Sequence, residues 1–267
     1  MSEKSNVLFL GTGSALATRC FNTCFILCNK GNMLMVDAGG GNGILRQLEL
    51  AGVQRENVSD IFVTHAHTDH ILGVVWMIRM ALQFQSPNPL HIYSHRKVLE
   101  VLTYICQQIL PKHENERIGS VVLMHELHDG DRFLVGDIQL QCFNIHSTKE
   151  LQYGFSALLP DGQRLVCLGD EPFCADNEKY ALEADWLMSE AFCLYVDREA
   201  FHPYEKHHST VLDAARLAEQ LSVKNLILYH TEDKTLSTRR ERYTAEAQTI
   251  YNGNVFVPDD LDIINIS

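Results

Sequence analysis

The sequence lacks the features that mark secreted and membrane proteins. Its eight cysteines include no Cys-x-x-Cys pair, and a chain of 267 residues does not need a disulfide framework to fold. The first twenty residues contain no cationic segment followed by an apolar one, so we expect no signal peptide. No apolar run is long enough to span a bilayer. We therefore expect a cytoplasmic protein with reduced thiols and no membrane partner.

Basic residues are also scarce. The chain has 22 Lys and Arg residues against 34 Asp and Glu residues, which gives a net charge of −12. Because nonspecific binding to nucleic acid depends on cations that neutralise phosphates, this balance disfavours such a role. The net charge does not exclude a local basic patch.

Linkers, internal repeats and low-complexity segments are absent as well. Hydrophobic residues make up 46% of the chain, enough to bury a sizeable core. The sequence therefore predicts one domain over residues 1–267.

The most informative segment is 64–70, with the sequence THAHTDH. It follows the apolar run 60–63, which predicts a buried strand, and it precedes 71–83, where apolar residues recur at helical spacing. Several side chains can converge at such a strand-to-helix turn. Imidazole and carboxylate groups are typical zinc ligands, so we interpret this segment as part of a metal site. The alternative is a chance cluster of solvated histidines. The candidate ligands here are His65, His67, Asp69 and His70.

Three further polar residues each follow a predicted strand. His146 comes after the run 138–145, Asp170 after 164–168 and His230 after 226–229. Alone, each would more often be an ordinary core or loop residue. Together, and in this order after the histidine cluster, they predict ligands delivered to one site from several strand ends.

The predicted strands fall into two groups, each accompanied by helices. This arrangement predicts an α/β (α+β) fold in which two mixed sheets pack together and helices cover their outer faces. Within the second group, 160–162 is a hairpin turn and Thr210 forms a capping box with Asp213 at the start of a helix.

The ordered ligand pattern resembles that of the metallo-β-lactamase-fold metal-dependent hydrolases, and the resemblance covers nearly the whole chain. Within that fold, the segments 9–15 (FLGTGSA), 206–210 (KHHST) and 226–231 (LILYHT) are similar to those of the ribonuclease Z group. The pattern consists of Asp37, His65, His67, Asp69, His70, His146, Asp170 and His230.

This resemblance implies a four-layer αβ/βα sandwich with two Zn²⁺ ions at one edge, although Mn²⁺ or Fe also suits mixed His and carboxylate ligands. By resemblance, His65, His67 and His146 hold one ion, and Asp170 bridges it to the second. Asp170 argues against a true β-lactamase, whose sites lack this bridging carboxylate. A homodimer is also implied. The resemblance also implies that the second ion is held by Asp69, His70 and His230. Asp37 is then expected to orient a ligand histidine.

The same resemblance implies a hydrolytic mechanism. Two metal ions about 3.5–4 Å apart activate a shared water, which attacks an ester while Asp69 orients or deprotonates it. His208, just before a helix N-terminus that disfavours a charged imidazole, is the candidate proton donor to the leaving group. Glu190 is its candidate partner. The alternative is that His208 only packs against the helix and that Glu190 is solvated.

The chain departs from the ribonuclease Z pattern in two places. Residues 147–169 leave no room for the long arm that grips tRNA in that group, and Gly169-Asp170-Glu171 replaces its usual Gly-Asp-Thr. With the acidic charge, this disfavours processing of tRNA 3′ ends and makes a smaller phosphodiester, such as a cyclic nucleotide, or another compact ester at least as good an expectation. Three functions remain open: a dinuclear-metal phosphodiesterase, a hydrolase of a lactone, thioester or similar bond, and a non-catalytic metal-binding protein.

Overall fold

Two seven-stranded sheets pack face to face in the computed structural model, which describes residues 4–84 and 88–266. The first sheet is antiparallel at one side and parallel at the other. In spatial order its strands are β14 (Ile263–Asn265), β1 (Asn6–Gly11), β2 (Cys24–Asn29), β3 (Asn32–Val36), β4 (Asp60–Phe62), β5 (Leu90–Ser94) and β6 (Val122–Glu126).

The second sheet is also mixed. Its strands β7 to β10 pair antiparallel, and β10 to β13 pair parallel. In spatial order they are β13 (Asn254–Phe256), β12 (Asn225–Tyr229), β11 (Trp186–Glu190), β10 (Arg164–Cys167), β9 (Tyr153–Leu158), β8 (Ile138–Asn144) and β7 (Arg132–Val135).

Helices cover the outer face of each sheet. Along the first sheet they are α1 (Gly43–Leu50), α2 (Thr68–Gln83), α3 (Arg96–Ile109) and the short α4 (Lys112–Asn115). The second half of the chain contributes α5 (Glu178–Ala181), α6 (Arg198–Phe201), α7 (Val211–Gln220) and α8 (Leu236–Ala247). The predicted four-layer sandwich of two mixed sheets flanked by helices is confirmed. None of the helices in the described ranges is both long and apolar enough to cross a membrane.

Side-chain alternation along the strands separates the apolar layers. In β1, Val7 and Phe9 are buried between the two sheets, whereas Leu8 and Leu10 are buried against the helices of the first sheet. A third apolar layer lies between the second sheet and helices α7 and α8. Each sheet is therefore buried on both faces, which holds the ends of its strands in fixed positions.

Most predicted elements lie within a few residues of the observed ones, and the end of the chain differs. The predicted capping box is present, with Thr210 as the N-cap of α7 and Asp213 as its partner. The terminal strand predicted from Val255 onward is wrong as a single strand. It is two strands, because β13 pairs within the second sheet and the chain then crosses to pair β14 with β1.

Gly73 allows α2 to lie directly on the turn that follows β3. Its backbone N–H donates to the carbonyl of Gly39 at 2.8 Å, and the Ala38 N–H donates to the carbonyl of His70 at 3.0 Å. A Cβ at Gly73 would lie 1.8 Å from the Ala38 carbonyl oxygen. Close contact between helix and turn fixes the start of α2 against the edge of the first sheet.

We expect Gly73→Ala to lower the free energy of unfolding by about 3 kcal/mol, because helix and backbone must separate to admit the methyl group. Gly52→Ala is the matched control. Its φ of +68° is strained for alanine, yet the added Cβ meets no atom within 4 Å, so the loss should be about 1–2 kcal/mol. Urea denaturation measures both, and equal losses would contradict the packing argument.

Candidate metal centre and active site

The candidate site lies at one edge of the sandwich, where strands of both sheets end. The segment after β4 carries His65 and His67 and leads into α2, while Asp170 follows β10 and His230 follows β12. His230 adopts a left-handed backbone with φ of +56°, and Asp37, directly after β3, has φ of +54°. Left-handed residues other than glycine are uncommon and concentrate at functional sites, where they redirect a chain sharply.

One group of donor atoms surrounds the first two histidines of the cluster. His65 Nε2 lies 2.8 Å from His67 Nδ1 and 3.6 Å from Asp170 Oδ2. His65 and Asp170 are almost fully buried. These nitrogen and oxygen atoms are of the types that hold zinc.

A second group shares the same carboxylate. His70 Nε2 lies 3.3 Å from Asp69 Oδ2 and 3.5 Å from Asp170 Oδ2, and His230 Nε2 lies 3.8 Å from the same Asp170 oxygen. Asp170 therefore stands between the two groups, where the sequence predicted a bridging residue.

His146 is the predicted ligand that the structure does not bring to this cluster. Its side chain is exposed, and its ring groups with Cys174 and Asp176, their ligand-type atoms lying within 4.8 Å of one another. Glu150 instead lies beside His65 and His67. Sequence reasoning missed Glu150, because it sits in a loop after no apolar run and matches no motif.

The outward nitrogens of three site histidines have partners of their own. Hydrogen bonds link His70 Nδ1 to Asp37 Oδ2 at 2.7 Å, and His65 Nδ1 to Thr64 Oγ1 at 2.9 Å. His230 Nδ1 lies 3.1 Å from Thr23 Oγ1. Such partners fix the ring orientation and tautomer of metal-ligating histidines. Asp37 is thus placed to orient His70, as the sequence predicted.

The electrostatics of the cluster suit a cation. Burial lowers the pKa of His230 to about 3 and lowers that of His65, so both imidazoles are neutral, the form that binds metal. Burial opposes ionisation of Asp170, yet the neighbouring His70 imidazole, whose own pKa is raised, favours the carboxylate, and the Asp170 pKa lies well below its usual range. Burial likewise opposes ionisation of Asp69, and the neighbouring imidazoles hold its pKa low.

His70 behaves differently from the other site histidines. Burial would lower its pKa, but the carboxylates of Asp37 and Asp69 outweigh burial and raise it well above the usual value. Among the described residues, His70 Nε2 and Asp170 Oδ1 are buried without a hydrogen-bond partner. Buried polar atoms are normally paired, and a metal ion in place of the His70 proton would satisfy both. The residues present therefore fit a metal centre.

His208 and Glu190 lie next to this cluster. His208 Nδ1 is 3.3 Å from Glu190 Oε2, and the Ser209 N–H donates to Glu190 Oε1. The His208 ring stacks on Phe192 at a centroid distance of 5.1 Å and lies 5.4 Å from the His230 ring. Glu190, at the end of β11, is 1% exposed, which contradicts the alternative of a solvated carboxylate. Burial raises the pKa of Glu190, and His208 opposes that rise.

Two lysines lie over the ring pair of Phe192 and Phe201, of which Phe192 stacks on His208. Lys206 Nζ lies 5.0 Å from the Phe192 ring centroid and donates to the Phe201 carbonyl at 2.7 Å. Lys234 Nζ lies 5.5 Å from the Phe201 ring centroid. Cationic and aromatic groups thus meet beside a candidate proton donor, in a chain whose overall charge is strongly negative.

Comparison with known proteins gives the family and relatives of the chain. Residues 5–256 match the family described as anti-Pycsar protein Apyc1. The ribonuclease Z of Thermococcus kodakarensis is 28% identical, with 97% of this chain and 94% of that protein covered. The resemblance to the ribonuclease Z group seen in the sequence is confirmed.

Solved structures show the same fold. The metallo-β-lactamase-fold protein YhfI from Bacillus subtilis superposes with a TM-score of 0.78 at 18% identity, covering 98% of this chain and 99% of YhfI. The short form of human tRNase Z superposes with a TM-score of 0.74 at 21% identity, covering 98% of this chain and 99% of that one. The predicted metallo-β-lactamase fold is confirmed.

The raised pKa of Glu190 predicts a pH-dependent effect on stability. The folded protein holds the Glu190 proton at a pH where the unfolded chain has released it, so this contribution is present in acid and is lost as pH rises through the folded pKa. In metal-free protein, the free energy of unfolding of Glu190→Gln should therefore rise relative to that of the wild type as pH rises above the ordinary carboxyl pKa.

Denaturation across a pH series measures this difference. Glu100→Gln, which alters an exposed carboxylate on α3, is the control and should show a small difference that changes little with pH. A Glu190→Gln difference as flat as that of the control would contradict the expectation.

Proposed function

The chain belongs to the family described as anti-Pycsar protein Apyc1, and on this basis we propose that it is a metal-dependent hydrolase that cleaves a small phosphodiester at a dinuclear zinc centre. The observation that carries the proposal is the buried Asp170 carboxylate between two groups of imidazoles, with His208 directly beside them. A non-catalytic metal-binding protein would have no use for His208 and its buried glutamate.

The two ions would be held by the donor groups on either side of Asp170. His65 and His67 would hold one; the predicted third ligand, His146, lies instead with Cys174 and Asp176. When bound, the ions lower the pKa of water and neutralise charge on the phosphate. The second ion takes its donors from Asp69, His70 and His230.

Asp69 and His208 divide the proton transfers. Asp69 is ionised, because its pKa is held low, and it accepts a hydrogen bond from the attacking water and orients it. His208 turns Nδ1 toward Glu190, which leaves Nε2 available to protonate the leaving alkoxide. Glu190 fixes the ring and stabilises its protonated form.

The surroundings of His208 favour a compact anionic substrate. Lys206 and Lys234 offer positive charge, and Phe192 and Phe201 offer aromatic surface, which together suit a phosphodiester attached to a base. The chain between β8 and β9 is short and turns straight back, since the Ile145 N–H donates to the Gln152 carbonyl at 3.1 Å. A cyclic nucleotide therefore suits the site better than a folded RNA.

RNA is the second candidate substrate, because curated relatives named ribonuclease Z align over nearly the whole chain. A homodimer and a cytoplasmic location stay predictions from the sequence. A thioester substrate would use the same metal ligands without requiring a proton donor, because a thiolate leaves readily, whereas a lactone releases an alkoxide and would use His208 in the same way.

A substrate panel tests the proposal. Zinc-loaded protein should hydrolyse bis(p-nitrophenyl) phosphate and cyclic nucleotides, should leave precursor tRNA, a lactone and a thioester unchanged, and should lose activity with a chelator. Turnover of the lactone or thioester alone would assign the carboxylic-ester class. Full metal content with no turnover of any ester would assign a non-catalytic role.

His208→Ala should lower kcat on a cyclic nucleotide by about 10²–10⁴-fold, the range for a general acid, while zinc content stays unchanged. The loss on bis(p-nitrophenyl) phosphate should be much smaller, because p-nitrophenolate leaves without a proton. Steady-state kinetics and metal analysis measure both.

His207→Ala is the matched control, since the neighbouring imidazole is exposed and hydrogen-bonds to Thr148 Oγ1. It should leave both rates close to wild type. If His208→Ala lowered kcat equally on the two substrates, or lost zinc, His208 would have a structural role instead.

A further inference from the structure

We propose that Glu150 is a positioning residue for His67, which holds that imidazole in the orientation that turns Nδ1 toward the metal. The inference rests on the proposed function, in which His67 is a metal ligand. It adds a carboxylate that neither the sequence pattern nor the family resemblance contained.

The two nitrogens of His67 face different partners. Nδ1 lies 2.8 Å from His65 Nε2, inside the donor cluster. Nε2 lies 3.4 Å from Glu150 Oε1. Because ligand histidines characteristically direct their second ring nitrogen to a carboxylate, carbonyl or water, the Glu150 oxygen stands where an orienting acceptor is required.

The Glu150 oxygen itself needs a partner. The side chain is 9% exposed, and within the described ranges Oε1 is buried without a hydrogen bond. An unpaired buried oxygen is unfavourable, so a protonated His67 Nε2 directed at it would relieve that cost.

The rest of the Glu150 side chain is fixed by a cation. Lys97 Nζ, on α3, donates to Glu150 Oε2 at 2.5 Å. With one oxygen held by Lys97, the other is directed at His67 and cannot easily turn to solvent. This pairing connects α3 to the candidate metal centre.

The loop that carries Glu150 is fixed from the opposite side by Glu171. Ser147 Oγ donates to Glu171 Oε1 at 2.7 Å, and the Thr148 N–H donates to Oε2 at 3.2 Å. The Glu150 N–H in turn donates to Ser147 Oγ at 3.2 Å. Glu171 directly follows Asp170, so Glu150 is held at a defined distance from the bridging carboxylate.

Glu150 also completes a pattern. The other three histidines of the cluster each have an outer partner, namely Asp37 for His70, Thr64 for His65 and Thr23 for His230. Glu150 provides the corresponding partner for His67. All four imidazoles then present one nitrogen inward and one to a fixed oxygen.

Metal titration tests the assignment. Wild type, Glu150→Ala, Glu150→Gln and the control Glu100→Ala are titrated with Co²⁺ in competition with a chromogenic chelator, and the visible absorption of each saturated protein is recorded. Glu150→Ala should bind one Co²⁺ about 10–100-fold more weakly, with the same stoichiometry and the same spectrum at saturation. Glu150→Gln should lose less Co²⁺ affinity than Glu150→Ala, because its amide oxygen still accepts a hydrogen bond. Glu100→Ala should bind Co²⁺ with wild-type affinity.

Other results would overturn the inference. If Glu150→Ala bound Co²⁺ with wild-type affinity, Glu150 would have no positioning role, and the proposed hydrolase function would be unaffected. Loss of one Co²⁺ at saturation, with a changed spectrum, would make Glu150 a direct ligand. Full metal content and unchanged affinity in His67→Ala would remove His67 from the ligands and overturn this inference alone, whereas failure of the wild type to bind Co²⁺ would overturn the proposed metal centre.

Discussion

The ionised carboxylate of Asp170, buried among three imidazoles, is the interaction on which the candidate site depends. Burial alone would protonate it, and the neighbouring His70 imidazole, whose pKa is raised, opposes that preference. The three imidazoles, those of His65, His70 and His230, come from the turn after β4, the first turn of α2 and the end of β12, so one carboxylate connects the two sheets at their shared edge. Any cation bound there interacts with both halves of the fold at once.

Much of this site was predictable because its ligands obey a local rule. His65, Asp170 and His230 each follow a short apolar run, and a polar residue at the end of a buried strand is visible in the sequence without knowledge of the fold. The pairing of Glu190 with His208 was predictable through resemblance, and burial of the glutamate supports it. The capping box at Thr210 was equally predictable, since both of its partners lie within four residues of the sequence.

Features set by contacts between distant segments were not predictable. Glu150 owes its place to Lys97, far away in sequence, and to the folding of its loop on Glu171. The sequence marked Glu171 only as a departure from the usual threonine, and the structure gives it a role in holding that loop. His146 ends the expected strand, yet the direction of its side chain depends on rotamer choice beside Cys174 and Asp176. The crossing of the terminal segment to β1 likewise leaves no local pattern.

That crossing has a consequence for biosynthesis. The outer hydrogen-bonding edge of β1 is closed by β14, a strand that is translated long after β1. Throughout elongation, the apolar strand with Val7 and Phe9 therefore presents an open edge, the kind of surface that promotes intermolecular association. Closure of the first sheet at this edge therefore waits for β14, which makes it a late step in folding.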